Sequence, residues 1–157
     1  LADSSHVPRH LGCIDAYRFV MEYIPGEHPS ARTPVADDNT YGQAVRALQA
    51  IHALGFAHND LRGRNMLVSP GRGVIFIDLA AALRFPAYCD ALALRPLGWL
   101  RRRLQEADFF HLLRQKRALS TQPYTAEERD LLAEDRPFAQ ITRFWKRWIY
   151  RRTQRRL

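Results

Sequence analysis

The stretch His58-Asn59-Asp60-Leu61-Arg62-Gly63-Arg64-Asn65-Met66-Leu67-Val68 carries an Asp and, five positions later, an Asn at the mouth of a short apolar run. The turn residues Ser69-Pro70-Gly71-Arg72-Gly73 follow, and a second apolar run, Val74–Ile77, leads directly into Asp78. Two β-rich runs around such a turn predict a hairpin over Met66–Val68 and Val74–Ile77. A hairpin brings its two open ends together, so Asn65 and Asp78 fall side by side although they are thirteen positions apart. Phosphoryl transfer asks a protein for little beyond positioned charge. It needs an acceptor for the nucleophile's proton, and oxygen ligands that hold Mg²⁺ against the phosphates. Asp60 suits the first role, and Asn65 with Asp78 the second.

The run H-N-D-L-R-G-R-N followed by D-L-A resembles the catalytic loop and metal-binding Asp of the protein-kinase-like superfamily, H-R-D-L-x-x-x-N and D-F-G. Asn59 stands where that pattern has Arg, Ala80 stands where it has Gly, and no A-P-E segment follows. These departures look like the small atypical bacterial kinases, the RIO-like and lipopolysaccharide-core-kinase group. The resemblance implies ATP and Mg²⁺ as cofactors, Asp60 as proton acceptor or orienting base, and Asn65 and Asp78 as metal ligands. It sets Arg62 where Ser/Thr-type kinases carry a phosphate-contacting Lys, and Arg64 where tyrosine-type kinases carry an Arg. Under that reading either guanidinium neutralises charge on the transferred phosphoryl group; a solvated surface Arg is the plain alternative for each. His58 on the same basis braces the loop.

Upstream, Ala16–Ile24 is a strand signal closed by Pro25-Gly26, and it resembles the last N-lobe strand and hinge of a kinase. The resemblance makes Met21 the gatekeeper and the backbone of Glu22 to Ile24 the adenine contacts. Leu67 becomes the floor beneath the base, in a flat apolar slot with a few polar points. Read alone, Met21 is an ordinary core residue.

These groups need elements to position them. Asp37-Asp38-Asn39 are cap candidates for a helix running to about Leu54. Its apolar face is Tyr41, Ala44, Val45, Leu48, Ile51 and His52 at helical spacing, and Gly55 stops it. His52 reads as structural. After Asp78 the chain moves quickly to another element, leaving little room for a phosphorylatable activation segment. Beyond Pro96 the pattern is helical, including Ala107–Leu119. Thr125 and Glu128 form a capping box for a short helix, and a final helix spans about 137–156.

A length of 157 residues, 46% hydrophobic, supports one globular domain. The expected class is α+β, mainly α: a kinase-like C-lobe over 26–157, preceded at 1–25 by residual N-lobe strands and the hinge. The Gly-rich loop, strand Lys and helix Glu of a complete kinase are expected upstream of Leu1 if the chain is the C-terminal part of a longer kinase; the alternative is a reduced relative that lacks them. Two cysteines make no disulfide framework, and no run of 18 apolar residues is present. The expected location is cytoplasmic, or peripheral at the inner face of the membrane.

The net charge of +8 lies entirely in Arg136–Leu157, since the first 135 residues carry 16 basic and 16 acidic side chains. That concentration, with the Arg101-Arg102-Arg103 cluster, suggests an anionic partner such as a membrane surface, lipopolysaccharide phosphate or nucleic acid. A solvated helix face accounts for it equally well. The expected activity is transfer of the ATP γ-phosphoryl group to a hydroxyl of a protein Ser/Thr or a lipopolysaccharide core sugar. The rival is a non-catalytic, pseudokinase-like binding module acting through the basic C-terminal helix. Nucleic acid is the least favoured partner, because no base-reading motif accompanies the helix.

Overall fold

The structure, a computed structural model, describes residues 4–15, 18–30, 39–91 and 94–133. It is α+β, with four helices and small antiparallel sheets among the described residues. Two compact units divide the chain at Pro123–Tyr124.

In the first unit the central helix is α1, Asn39–Ala53. Ala44, Ala47, Leu48 and Ile51 recur at three- and four-residue steps and are fully buried, so one stripe of the helix forms the core face. They pack with Val7, Leu61, Met66, Val74, Phe76, Leu112 and Leu119 in a single cluster. The expected helix is thus present, with Asp37 and Asp38 outside the described residues. Gly55 ends it in the left-handed region (φ 82°), its amide bonded to the His52 carbonyl. A Cβ at Gly55 would stand 2.8 Å from the Phe85 carbonyl oxygen, so both dihedral and space require glycine.

Two very short strands follow from that reversal. β3, Phe56–Ala57, pairs antiparallel with β6, Leu83–Arg84, which folds the segment after Asp78 back beside the entrance to the loop. Between them lie the expected hairpin strands, β4 (Met66–Ser69) and β5 (Gly73–Phe76). Their register is Met66↔Phe76, Leu67↔Ile75, Val68↔Val74 and Ser69↔Gly73. Side chains alternate across a strand. Met66, Val68, Val74 and Phe76 therefore join the α1 cluster, and Leu67 with Ile75 faces the other way.

The N-terminal part is a two-stranded ribbon, β1 (His10–Cys13) with β2 (Phe19–Met21). β2 is shorter than the strand expected over Ala16–Ile24; Ala16 and Tyr17 lie outside the described residues. Ribbon residues Leu11, Phe19, Val20 and Met21 are exposed.

The helical region resolves into α2, Arg95–Arg114, and α3, Lys116–Leu119. The expected run Ala107–Leu119 is therefore split, with Gln115 as the joint. Pro96 sits in the first turn of α2, where its missing N–H has no helical partner to lose. The arginine cluster is largely committed internally: Arg101 and Arg102 both reach Asp90, and Arg103 reaches Glu106. It is not the bare basic patch its composition suggests.

In the second unit, α4 spans Ala126–Ala133. Its capping box is formed in both directions, Glu128 N–H to Thr125 Oγ1 (3.2 Å) and Thr125 N–H to Glu128 Oε2 (2.9 Å). The final basic helix and the charge of Arg136–Leu157 lie outside the described residues. Among the described residues no helix is long and apolar enough to cross a membrane.

A Gly55→Ala substitution should destabilise the protein by about 1–2 kcal/mol from the left-handed backbone alone, and further if Phe85 cannot shift. A urea-unfolding midpoint equal to wild type would contradict this geometry.

Candidate functional site

The loop that follows β3 cannot bond like a strand, because Asn59 turns left-handed (φ 63°). Its backbone donors are satisfied from a distance. Asp108 on α2, completely buried, accepts the His58 N–H on Oδ2 (2.6 Å) and the Asn59 N–H on Oδ1 (2.8 Å). The His52 Nε2 lies 3.0 Å from the same Oδ2, with its ring edge-on to Phe109. One turn earlier on α2, Gln105 donates to the carbonyls of His52 and Phe56. Asn59 adds a side-chain bond to the Ala81 carbonyl (3.1 Å). A buried carboxylate is tolerated when its oxygens are paired and hydrogen-bonded, and here it clamps the end of α1 and the loop together.

His58 is fully buried and stacks edge-on to Phe76. Its Nε2 donates to the Ile77 carbonyl (3.3 Å), and its Nδ1 accepts the Asp60 N–H (3.4 Å). Those partners select the neutral tautomer with the proton on Nε2. Burial pushes the imidazole below its ordinary value, against the opposing pull of Asp108. His58 braces the loop, as expected.

Asp60 emerges from this scaffold almost buried. Its Oδ2 accepts from Asn65 Nδ2 (3.1 Å), and the same Nδ2 bonds the Asp60 carbonyl (2.8 Å). Holding Asn65 by its NH₂ leaves Oδ1 as the amide's coordinating atom. Arg62 lies on Asp60 Oδ1, Nε to oxygen 3.0 Å, with its own side chain half exposed. Arg64 is exposed on the 3₁₀ turn Gly63–Asn65 and makes no ion pair with a described residue. The structure therefore joins Asp60, Arg62 and Asn65 directly and leaves Arg64 apart.

Asp78 is brought in by the hairpin. The Ile77 N–H donates to the Asn65 carbonyl (2.9 Å), which extends the Met66↔Phe76 register by one step and sets Asp78 just beyond Asn65. Asp78 itself is left-handed (φ 57°, ψ 68°), exposed, and accepts the Ala80 N–H (3.4 Å). Asp is among the few residues that reach this region at modest cost. An amide oxygen and a carboxylate at one hairpin end are hard oxygen donors that suit Mg²⁺. No group of three or more His, Cys, Asp or Glu side chains able to hold a metal occurs among the described residues. A cation here would take its remaining ligands from phosphate and water.

The segment expected as a hinge meets the hairpin through backbone. Glu27 and Val68 exchange both amide bonds (3.0 and 2.8 Å), and a Cβ on Gly26 would stand 2.9 Å from the Val68 carbonyl oxygen. This lays Pro25–Glu27 along β4 beside Leu67. Glu22 uses its N–H on the Arg9 carbonyl (2.8 Å), while the Arg9 N–H turns to Glu22 Oε2 (3.1 Å). Ile24, two residues on, is buried. The Arg9 amide, and after it Arg72, hold the Glu22 carboxyl below its usual range. Met21 is about half exposed on β2.

No family model matches this chain, and no curated protein matches it.

Sequence reasoning passed over Asp108 and Gln105. The available signal was an Asp at the middle of the stripe Leu104, Asp108, Leu112, where helical spacing predicts an apolar residue.

Asp108→Ala should cost about 3–5 kcal/mol, the penalty for stranding partners of a buried charge. Amide hydrogen exchange at His58 and Asn59 should rise more than elsewhere; unchanged exchange at both would refute the clamp. The depressed His58 value sets a pH dependence of known sign. The unfolded chain takes up a proton near the ordinary imidazole value of about 6.5, which the folded chain resists. This contribution is complete above pH 6.5 and declines as pH falls below it. A His58→Gln variant should show a flatter stability profile between about pH 7 and 5 than wild type.

Proposed function

We propose that the chain is an ATP-dependent phosphotransferase of the protein-kinase-like type, a C-lobe with hinge. One observation carries the reading: Asp60 and Asn65 are hydrogen-bonded to each other at the hairpin end where Asp78 emerges in a left-handed conformation. Structural aspartates in turns are common, but this set supplies each part that phosphoryl transfer asks of a protein.

In the proposed reaction an acceptor hydroxyl approaches Asp60, which orients it and takes its proton. The acceptor oxygen bonds to the γ-phosphorus as the bond to the bridging oxygen of ADP breaks, and ADP leaves. Asn65 steers Asp60 by donating to Oδ2, and Arg62 places a guanidinium beside the same carboxylate. Arg62 is mobile enough by exposure to exchange Asp60 for a phosphoryl oxygen as charge builds there. Mg²⁺, held by Asn65 and Asp78, would supply neutralisation of the phosphate charge. Glu22, Ile24 and Leu67 are the adenine contacts, with Met21 as gatekeeper. The acceptor is a protein Ser/Thr or a lipopolysaccharide core sugar; the basic Arg136–Leu157 segment supports an anionic target or membrane surface.

The Arg62–Asp60 ion pair also supports a second reading, a non-catalytic binding module in which this contact closes the base off from any acceptor.

Transfer from γ-labelled ATP to a Ser/Thr-containing protein and to lipopolysaccharide core oligosaccharide tests the proposal. Asp60→Asn should lower the rate by about 10²-fold or more, the span of general-base contributions. Arg62→Ala should retain more activity than Asp60→Asn. Equal transfer by wild type and Asp60→Asn would favour the binding-module reading.

A further inference from the structure

The hairpin has two ends, and the candidate site uses one of them. At the other, around the Ser69–Gly73 turn, lies an open cavity of about 960 Å³ between the hairpin, the start of α1 and Pro25–Glu27. That volume falls within the range of small-molecule sites. The cavity is separate from the adenine face. Val68 and Val74 line it and belong to the α1 side of the hairpin, whereas alternation puts Leu67 on the opposite side.

Its chemistry is an apolar wall with cationic donors. Val68 and Pro70 form the wall, with the core residue Val74 behind them, and Gln43, Arg46 and Arg72 supply polar groups. Arg72 is held in place by Glu22 (3.0 Å) and the Ser5 carbonyl (3.1 Å). Arg46 is different. Among the described residues its hydrogen bond goes to the Asn39 amide oxygen at 3.3 Å, and no carboxylate of a described residue pairs with it. Glu27 is the one carboxylate on the described wall, so cations outnumber it. A guanidinium with unused donors selects oxyanions. Arg46, Gln43 and the remaining edge of Arg72 together offer enough donors for the three terminal oxygens of a phosphate ester.

The geometry points to a second binding site here, for a small phosphomonoester whose body rests on Val68 and Pro70 and whose phosphate is held by Arg46. The site does not rest on the phosphotransfer reading: Arg46, Gln43, Val68 and Pro70 have no role in it, and the only tie is the Arg72–Glu22 ion pair among the described residues.

Calorimetric titration of the full chain with phenyl phosphate tests it, with inorganic phosphate and benzyl alcohol as comparisons. Phenyl phosphate should bind saturably at one site and more tightly than either comparison. Affinity should fall at least tenfold in Arg46→Met, which keeps the apolar stem of an exposed side chain. It should also fall in Gln43→Met, and stay within twofold of wild type in Asp78→Ala. Absence of saturable binding, equal affinity in Arg46→Met, or equal binding of benzyl alcohol would overturn the proposal. Loss in Asp78→Ala with retention in Arg46→Met would do the same, because the anion would then occupy the hairpin's other end.

Discussion

The carboxylate of Asp108 holds the end of α1 and the loop after β3 together. A loop that turns left-handed at Asn59 abandons the strand ladder, and its buried amides then need acceptors from elsewhere. Asp108 provides them from a helix some fifty residues downstream, and binds His52 at the end of α1 with the same oxygen. Gln105 repeats the arrangement one turn away with carbonyls in place of amides. The position of Asp60 thus depends on how α2 packs against α1, through Leu112 and the core around Leu48 and Ile51.

From that anchor the geometry passes along short covalent paths. Asp60 is two residues beyond His58, whose ring links the Asp60 amide to the Ile77 carbonyl across the hairpin mouth. Ile77 in turn donates to the Asn65 carbonyl. The loop, the start of β4 and the end of β5 are therefore tied together by hydrogen bonds around the Asp60–Asn65 pair, with Asp78 next in the chain after Ile77. Burying a neutral His58 at its centre confers rigidity that weakens in acid.

Much of this was legible in the residues because it is local. α1 follows from apolar spacing over fifteen positions, the hairpin from two apolar runs around Pro70 and Gly71, and the α4 cap from Thr125 and Glu128. The nearness of Asn65 to Asp78 was legible because hairpin pairing converts sequence distance into proximity. The rest depended on partners far along the chain. Asp108 looks like any polar residue of a helix until the loop amides it serves are known. β3 and β6 are two residues each, too short for a period to show, and exist because Gly55 reverses the chain beside Phe85. The Arg101–Arg103 cluster read as a basic patch because Asp90, which pairs two of its members, lies outside the helix that carries them.

The central claim is that Asn65 and Asp78 form a cation-dependent nucleotide site. Its most direct test is calorimetric titration of the full chain with ATP, with and without Mg²⁺, beside Asp78→Ala. Saturable binding that requires Mg²⁺ and is lost in Asp78→Ala is the predicted result. Wild-type binding indifferent to Mg²⁺, or an Asp78→Ala protein that binds MgATP as tightly as wild type, would contradict it.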